Sequence, residues 1–393
     1  MSSPFAHLWT LDPQVAYLNH GSFGACPRAI LERQWELRLE LEREPVDFLA
    51  RRWTGLLESA RAEVARFLGA APDDLAFVTN ATSGVNAVLR GLELGPGDEI
   101  LTTDHAYAAC RKAAAFVARR AGARVVTAAV PFPVEHEDAL VDHVLAGVTP
   151  RTRMALLDHV SSPTALVFPI ARLVRALRER GVETIVDGAH APGTVPLDLD
   201  ALGAGYYTGN AHKWLCAPKG AAFLHVRRDL QRSVHPLVIS HGYEADQEGR
   251  RFREEFDWTG TCDPTAWLVL PDCLRFLGGL LPGGWPELMA RNRALALQAR
   301  DVLCAALGVA PPCPDGLVAS LASIPLPVGA PGSPGATLDH EGLSNWTRAR
   351  GIESWFCWWD VPSGRLVRVS AQAYNDASQF ARLSALLQEA LRG

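Results

Sequence analysis

The sequence predicts an α/β protein, with a large domain on a doubly wound, mainly parallel sheet and a smaller α+β domain at the C-terminal end. Three observations predict it. Short apolar runs alternate with helical stretches between residues 75 and 226. Some of those runs, Ile185-Val186 among them, lack the in–out alternation of a half-exposed strand and read as covered on both faces. After about Asp263 the texture turns to long helices around one strand-like segment, Leu366-Val367-Arg368-Val369-Ser370.

Residues 1–25 read as an irregular N-terminal arm in which Val15-Ala16-Tyr17-Leu18 runs into Asn19-His20-Gly21-Ser22-Phe23-Gly24. Helical periodicity follows over 30–44 and 56–67. Strands are expected at 75–79, 99–103, 124–129, 154–158, 184–187, 206–208 and 221–226, with helices at 84–91, 108–121, 137–146 and 170–180 between them. These belong to a large domain, 26–262. The small domain, 263–393, is expected to hold helices over 264–277, 285–307, 339–350 and 377–391 and a Pro/Gly-rich surface loop over 325–335.

Composition excludes several classes of function. Hydrophobic residues make up 48% of the 393 and charged residues 21%, enough apolar material for a large core. A net charge of −5 and the lack of a basic run argue against nucleic-acid and membrane-surface partners. The eight cysteines are scattered, with no Cys-x-x-Cys and no zinc spacing, so free thiols in a reducing compartment and no metal site are expected. Residues 1–7 carry no signal-peptide pattern, and the most apolar region, 268–281, is broken by Pro271, Asp272 and Arg275. The expectation is a cytoplasmic protein.

Four motifs fall at expected strand ends, where open parallel sheets bind ligands. The first is Asn210-Ala211-His212-Lys213-Trp214, between two strands. Only Lys112, Lys213 and Lys219 among the 38 basic residues are lysine. Arginine cannot lose its proton, so a lysine in an apolar turn is a candidate nucleophile, against the alternative of a chance survivor. The second is Thr79-Asn80-Ala81-Thr82-Ser83, a helix start that suits a phosphate or simple N-capping. The third is Asp187-Gly188-Ala189-His190, whose carboxylate suits a protonated ring nitrogen, a strand cap or a metal. The fourth is Asp104-His105-Ala106-Tyr107, whose aromatics either stack on a flat cofactor or pack internally. Phosphate seat, ring-nitrogen carboxylate, stacking aromatic and amine converge on pyridoxal 5'-phosphate linked to Lys213. Arg368, alone in an apolar strand, calls for an anion: a substrate carboxylate or an internal acidic residue.

With these motifs in view, the chain resembles the class V aminotransferase family of fold type I pyridoxal-phosphate enzymes, in its isopenicillin N epimerase-like and hercynylcysteine sulfoxide lyase-like branch. Leu18–Gly24, Asp158-His159-Val160-Ser161-Ser162, Trp258-Thr259-Gly260-Thr261 and Arg368-Val369-Ser370 carry the resemblance together with the four motifs. It implies a Schiff base on Lys213, pairing of Asp187 with the ring nitrogen, and a ring covered by Tyr107 or His105. Asn80, Ala81, Thr82, His190 and His212 are implied to hold the cofactor, with Thr261 reaching the phosphate from the neighbouring subunit of a homodimer with shared active sites. Arg368 is implied to clamp the α-carboxylate of an amino-acid substrate that Asn19 and His20 also line. The implied chemistry starts with removal of the α-proton. It ends most readily in C–S β-elimination from a cysteine conjugate or sulfoxide, with epimerisation, transamination and a non-catalytic regulator as alternatives. Cys357, flanked by tryptophans, departs from the nucleophilic cysteine of the desulfurases. Ser161-Ser162 stand where many relatives place an amide that bonds the cofactor's phenolic oxygen.

Overall fold

The computed structural model describes residues 3–244 and 250–392. Its main sheet has seven strands: β1 (Leu75–Val78), β2 (Glu99–Thr103), β3 (Arg124–Ala128), β4 (Thr152–Asp158), β5 (Glu183–Asp187), β6 (Tyr206–Asn210) and β7 (Ala222–Val226). Their spatial order is β1-β7-β6-β5-β4-β2-β3, and within this sheet only β7 runs antiparallel to its neighbours. Successive residues enter different apolar clusters. Leu101, Ala155, Leu157 and Val186 pack on one face, while Ile100, Met154, Leu156 and Ile185 pack on the other. Both faces are covered, as the unalternating apolar runs require.

The crossover helices Ala108–Ala121 and Glu137–Ala146 start and stop where the sequence places them. The helix expected from residue 84 instead begins at Ala81, because the Asn80 side chain accepts the Ser83 N–H and caps it there. Gly84 lies inside that helix. A Cβ on it would come within 2.3 Å of Thr208 Oγ1, so the glycine lets the helix sit against β6.

A second sheet holds β8 (Leu321–Pro325), β9 (Trp355–Trp358) and β10 (Arg365–Ser370) in antiparallel order β9-β10-β8. Only β10 was expected. β8 ends in a proline and sits at an edge, where that residue is tolerated, and β9 is four residues long with little periodicity to read. The helix expected over 264–277 is broken at Val269 into Thr265–Leu268 and Leu270–Gly278; Pro271, lacking an N–H, starts the second piece. The arm is not loose. Ala16–Tyr17 pairs in parallel with Ile352–Glu353, and the Ser370 N–H donates to the Leu18 carbonyl at 2.7 Å. One apolar cluster runs from Ala16 and Leu18 through the main sheet to Leu387, so arm and both sheets share a core. Among the described residues no helix is long and apolar enough to cross a membrane.

Candidate active site

β1, β2, β4, β5 and β6 end at the same edge of the main sheet, and the residues that follow them meet there. Asn80, Ala81, Thr82, Tyr107, Asp187, His190, His212 and Lys213 line one cavity of about 440 Å³.

Lys213 sits in the turn between β6 and β7, which pair antiparallel from Tyr206↔Val226 to Asn210↔Ala222. The turn is tied on every side. His212 N–H donates to Ala221, Ala217 N–H to Ala211, and Cys216 N–H to the Lys213 carbonyl at 2.9 Å. Cys216 takes φ +53° to close it, a strained conformation for a residue with a side chain. From the arm, His20 Nε2 donates to the Lys213 carbonyl at 2.9 Å, and His20 Nδ1 accepts from the Tyr374 hydroxyl at 2.8 Å. Gly24 abuts the same turn at φ +70°, where a Cβ would fall 2.1 Å from the His212 carbonyl oxygen. Gly24→Ala is therefore expected to cost about 2 kcal/mol or more of stability and to lower cofactor affinity; unaltered thermal unfolding and cofactor titration would remove this role.

The polar contacts around Lys213 suit an amine that loses its proton readily. Trp214 Nε1–H donates to His190 Nδ1 at 3.4 Å, which puts the His190 proton on Nε2, and that nitrogen lies 3.0 Å from Lys213 Nζ. In that arrangement Nζ accepts, as an unprotonated amine with its lone pair can. Burial, and then the nearby Arg368 charge, push the Lys213 pKa down from 10.5 to about 8.

Asp187 is held at both oxygens, by the Ala189 N–H at 3.0 Å and the Cys110 thiol at 3.1 Å. Beside it stands Asp158, a residue the sequence reasoning left without a role. The two are Cα partners across β4 and β5, both buried and both lining the cavity. Asp158 Oδ1 has no hydrogen-bond partner. Burial first, and then the Asp187 charge, raise the Asp158 pKa well above its ordinary value, so it keeps its proton. An acidic residue closing the apolar run Met154-Ala155-Leu156-Leu157 was the available signal, the same one that marked Asp187. Because the folded state holds this proton and the unfolded state releases it, apoprotein stability falls as pH rises above about 4, by up to about 1.4 kcal/mol per unit, until Asp158 ionises. Asp158→Asn should flatten that slope in a comparison of unfolding across pH; identical slopes would show that Asp158 is already ionised.

The cavity's other end is built for an anion. Ala81 N–H is taken by Asn210 Oδ1 and Ser83 N–H by Asn80 Oδ1, both at 2.8 Å, which leaves the Thr82 N–H at the helix start. His212 Nδ1 donates to the Ala221 carbonyl at 2.9 Å and turns its other nitrogen toward this region. Burial lowers the His212 pKa to about 4, and a phosphate dianion would raise it again.

Some expected residues lie elsewhere. His105 is enclosed: Nδ1 meets Thr164 Oγ1 at 2.6 Å, Nε2 meets the Val130 carbonyl at 3.0 Å, and Trp359 packs edge-on at 4.7 Å. Tyr107, not His105, faces the cavity. His20 is fully buried behind Lys213 and braces its backbone instead of lining a substrate space. Thr261 is exposed and does not line this cavity within one chain. Cys357 lies in β9, paired with Leu366, and burial pushes its thiol up to about 12, which is unsuited to a nucleophile.

Arg368 lies in the middle strand of the second sheet, 1% exposed. It donates to the Ser162 carbonyl at 2.7 Å, Ser162 Oγ at 3.1 Å, Asn19 Oδ1 at 3.2 Å and Ser22 Oγ at 2.9 Å; its Nε has no partner. The guanidinium stacks 4.2 Å from the Trp355 ring. Among the described residues no carboxylate pairs with it, which argues against an internal salt bridge. A buried cation surrounded by neutral oxygens stands directly behind Ser22 and Ser162, both of which line the cavity.

A buried lysine of lowered pKa, a strand-end carboxylate and a helix start on a sheet of this topology define a fold type I pyridoxal-phosphate enzyme. The class-V aminotransferase family model matches residues 42–383, and the chain belongs to that family. It is 39% identical to the isopenicillin N epimerase of Amycolatopsis lactamdurans, over 97% of this chain and 96% of that one. It is 33% identical to a probable chloroplastic L-cysteine desulfhydrase of Arabidopsis thaliana, over 84% and 71%. Among solved structures, that of the cystine C–S lyase C-DES with its product cysteine persulfide superposes with a TM-score of 0.76 at 22% identity, over 96% of this chain and 98% of that one.

Proposed function

We propose that the protein cleaves the β-carbon–sulfur bond of a cysteine conjugate or sulfoxide, with Lys213 as the base. Pyridoxal phosphate, when bound, supplies the electron sink that stabilises negative charge at the substrate's α-carbon. The chain's own residues do the rest. Lys213 would carry the cofactor, and its amine would take the substrate's α-proton. Asp187, fixed by two donors, keeps a proton on the ring nitrogen. Thr82 and His212 hold the phosphate, and Tyr107 covers the ring. The substrate carboxylate takes the Arg368 contacts now made by Ser22 and Ser162.

The observation that carries this reading is the buried Lys213 amine, its pKa lowered to about 8, beside a buried guanidinium that no carboxylate pairs with among the described residues. Among the described residues the acid–base group within hydrogen-bond reach of Nζ is His190. One base suffices for elimination, whereas inversion needs a proton delivered to the opposite face. With water, an S-substituted cysteine then yields a thiol, pyruvate and ammonium. Epimerisation is the second reading, favoured by the 39% identity to an epimerase. Stoichiometric pyruvate and thiol from S-substituted cysteines support elimination; deuterium entering Cα with inversion and no pyruvate supports epimerisation.

A homodimer completes the site in this proposal. Leu31, Trp35 and Leu39 recur every four residues on the helix Arg28–Arg43, exposed by 39%, 58% and 51%, with Phe23 at 70% on the cavity rim. A second copy covers this stripe and brings its Thr261 to the phosphate. Sedimentation at micromolar concentration should give a dimer, and a monomer would remove the shared site. The eight free cysteines suit the reducing cytoplasm.

A further inference from the structure

A second, larger cavity opens next to the first. It measures about 760 Å³ and shares Tyr107 and Ser162 with the cofactor cavity. Its walls are aromatic, from Trp355, Trp358 and Trp359 of the β9 region and Phe132 of the opposite loop. The Trp355 ring also stacks on the Arg368 guanidinium, which donates to Ser162, a residue of both cavities. Trp358 stands at the wall 67% exposed, a large apolar ring left to solvent.

The polar groups on these walls differ in what they have to bond. The Asp104 carboxylate accepts the Val130 N–H at 3.0 Å, and His143 Nδ1 is bonded to the Ala129 carbonyl at 2.8 Å. Arg111 has no ion pair among the described residues, and its buried Nε has no hydrogen-bond partner. Asp104 and Asp360 also line this cavity and Asp158 lies within electrostatic range, yet none of them is paired with Arg111 among the described residues, which leaves its guanidinium to an incoming anion.

The size excludes a small substrate as the reason for this space. About 300–1,000 Å³ is the volume that encloses a drug-sized molecule, far more than the side chain of free cysteine fills. We propose that this cavity binds the distal part of an elongated, two-anion amino-acid substrate: an apolar or aromatic segment against Trp355, Trp358 and Trp359, ending in a carboxylate or comparable anion on Arg111. The proposal rests on the amino-acid reading of the neighbouring site and names the substrate class that site takes.

The test uses the holoenzyme and three probes, cysteine, S-benzylcysteine and S-(4-carboxybenzyl)cysteine, with Kd read from the change in cofactor absorbance. The benzyl group is expected to tighten binding about tenfold over cysteine, and the added carboxylate about tenfold again. Trp358→Ala should weaken both S-substituted probes and leave cysteine unchanged. Arg111→Gln should erase the difference between the carboxybenzyl and benzyl probes alone. Equal affinities for all three, or tail-dependent affinities that neither variant alters, overturn the proposal while leaving the amino-acid reading in place. If no amino acid changes the absorbance, the amino-acid reading itself fails and this proposal with it.

Discussion

Lys213→Ala is expected to lower turnover by on the order of 10⁴-fold or more, because one substitution removes both the cofactor's attachment and the base. The protein should still fold. The turn is held by backbone hydrogen bonds and by His20 on the carbonyl, none of which involves the lysine side chain. Added cofactor should bind only through its phosphate and Asp187, and be lost on dialysis. Lys213→Arg should be as inactive as alanine, since a guanidinium keeps its proton. In the wild type, the rate of covalent cofactor attachment should rise with pH through about 8, where Lys213 becomes neutral, and not near 10.5. A rate still climbing steeply above pH 9 would mean that the amine is not desolvated.

Arg368→Met is expected to separate binding from stability. Loss of a charge-assisted contact to the substrate carboxylate should reduce kcat/KM by about 10²- to 10³-fold, roughly 3–4 kcal/mol. Stability should hold or rise, because a buried cation with no counterion among the described residues is replaced by an apolar chain of similar length. Cofactor colour should be unchanged. A fall in Tm of many degrees with normal kcat/KM would make Arg368 a structural residue.

Much of the fold was legible because the strands of the main sheet are short apolar runs, and all but the edge strand β3 are buried on both faces. Lys213, Asp187, Thr82 and His212 were legible for a related reason: polar residues closing apolar runs at strand ends meet at one edge of a parallel sheet. What the sequence concealed depends on side-chain direction and on distant contacts. Nothing in Asp104-His105-Ala106-Tyr107 tells which aromatic turns inward; the pocket of Thr164, Val130 and Trp359 decides it for His105. His20 looked like a substrate residue until Tyr374, 354 positions away, fixed its ring behind the lysine. Asp158 carried the same local signal as Asp187, but its lack of a donor at Oδ1 is a property of the folded site. The second sheet was mostly hidden, since an edge strand ending in proline and a run of tryptophans both lack a readable period.

The most direct measurement is borohydride reduction of the protein with pyridoxal phosphate, followed by peptide mapping of the three lysines. A pyridoxyl group confined to the peptide containing Lys213 is the expected result. Label on Lys112 or Lys219, or no label at all, would contradict the placement of the chemistry at the end of β6.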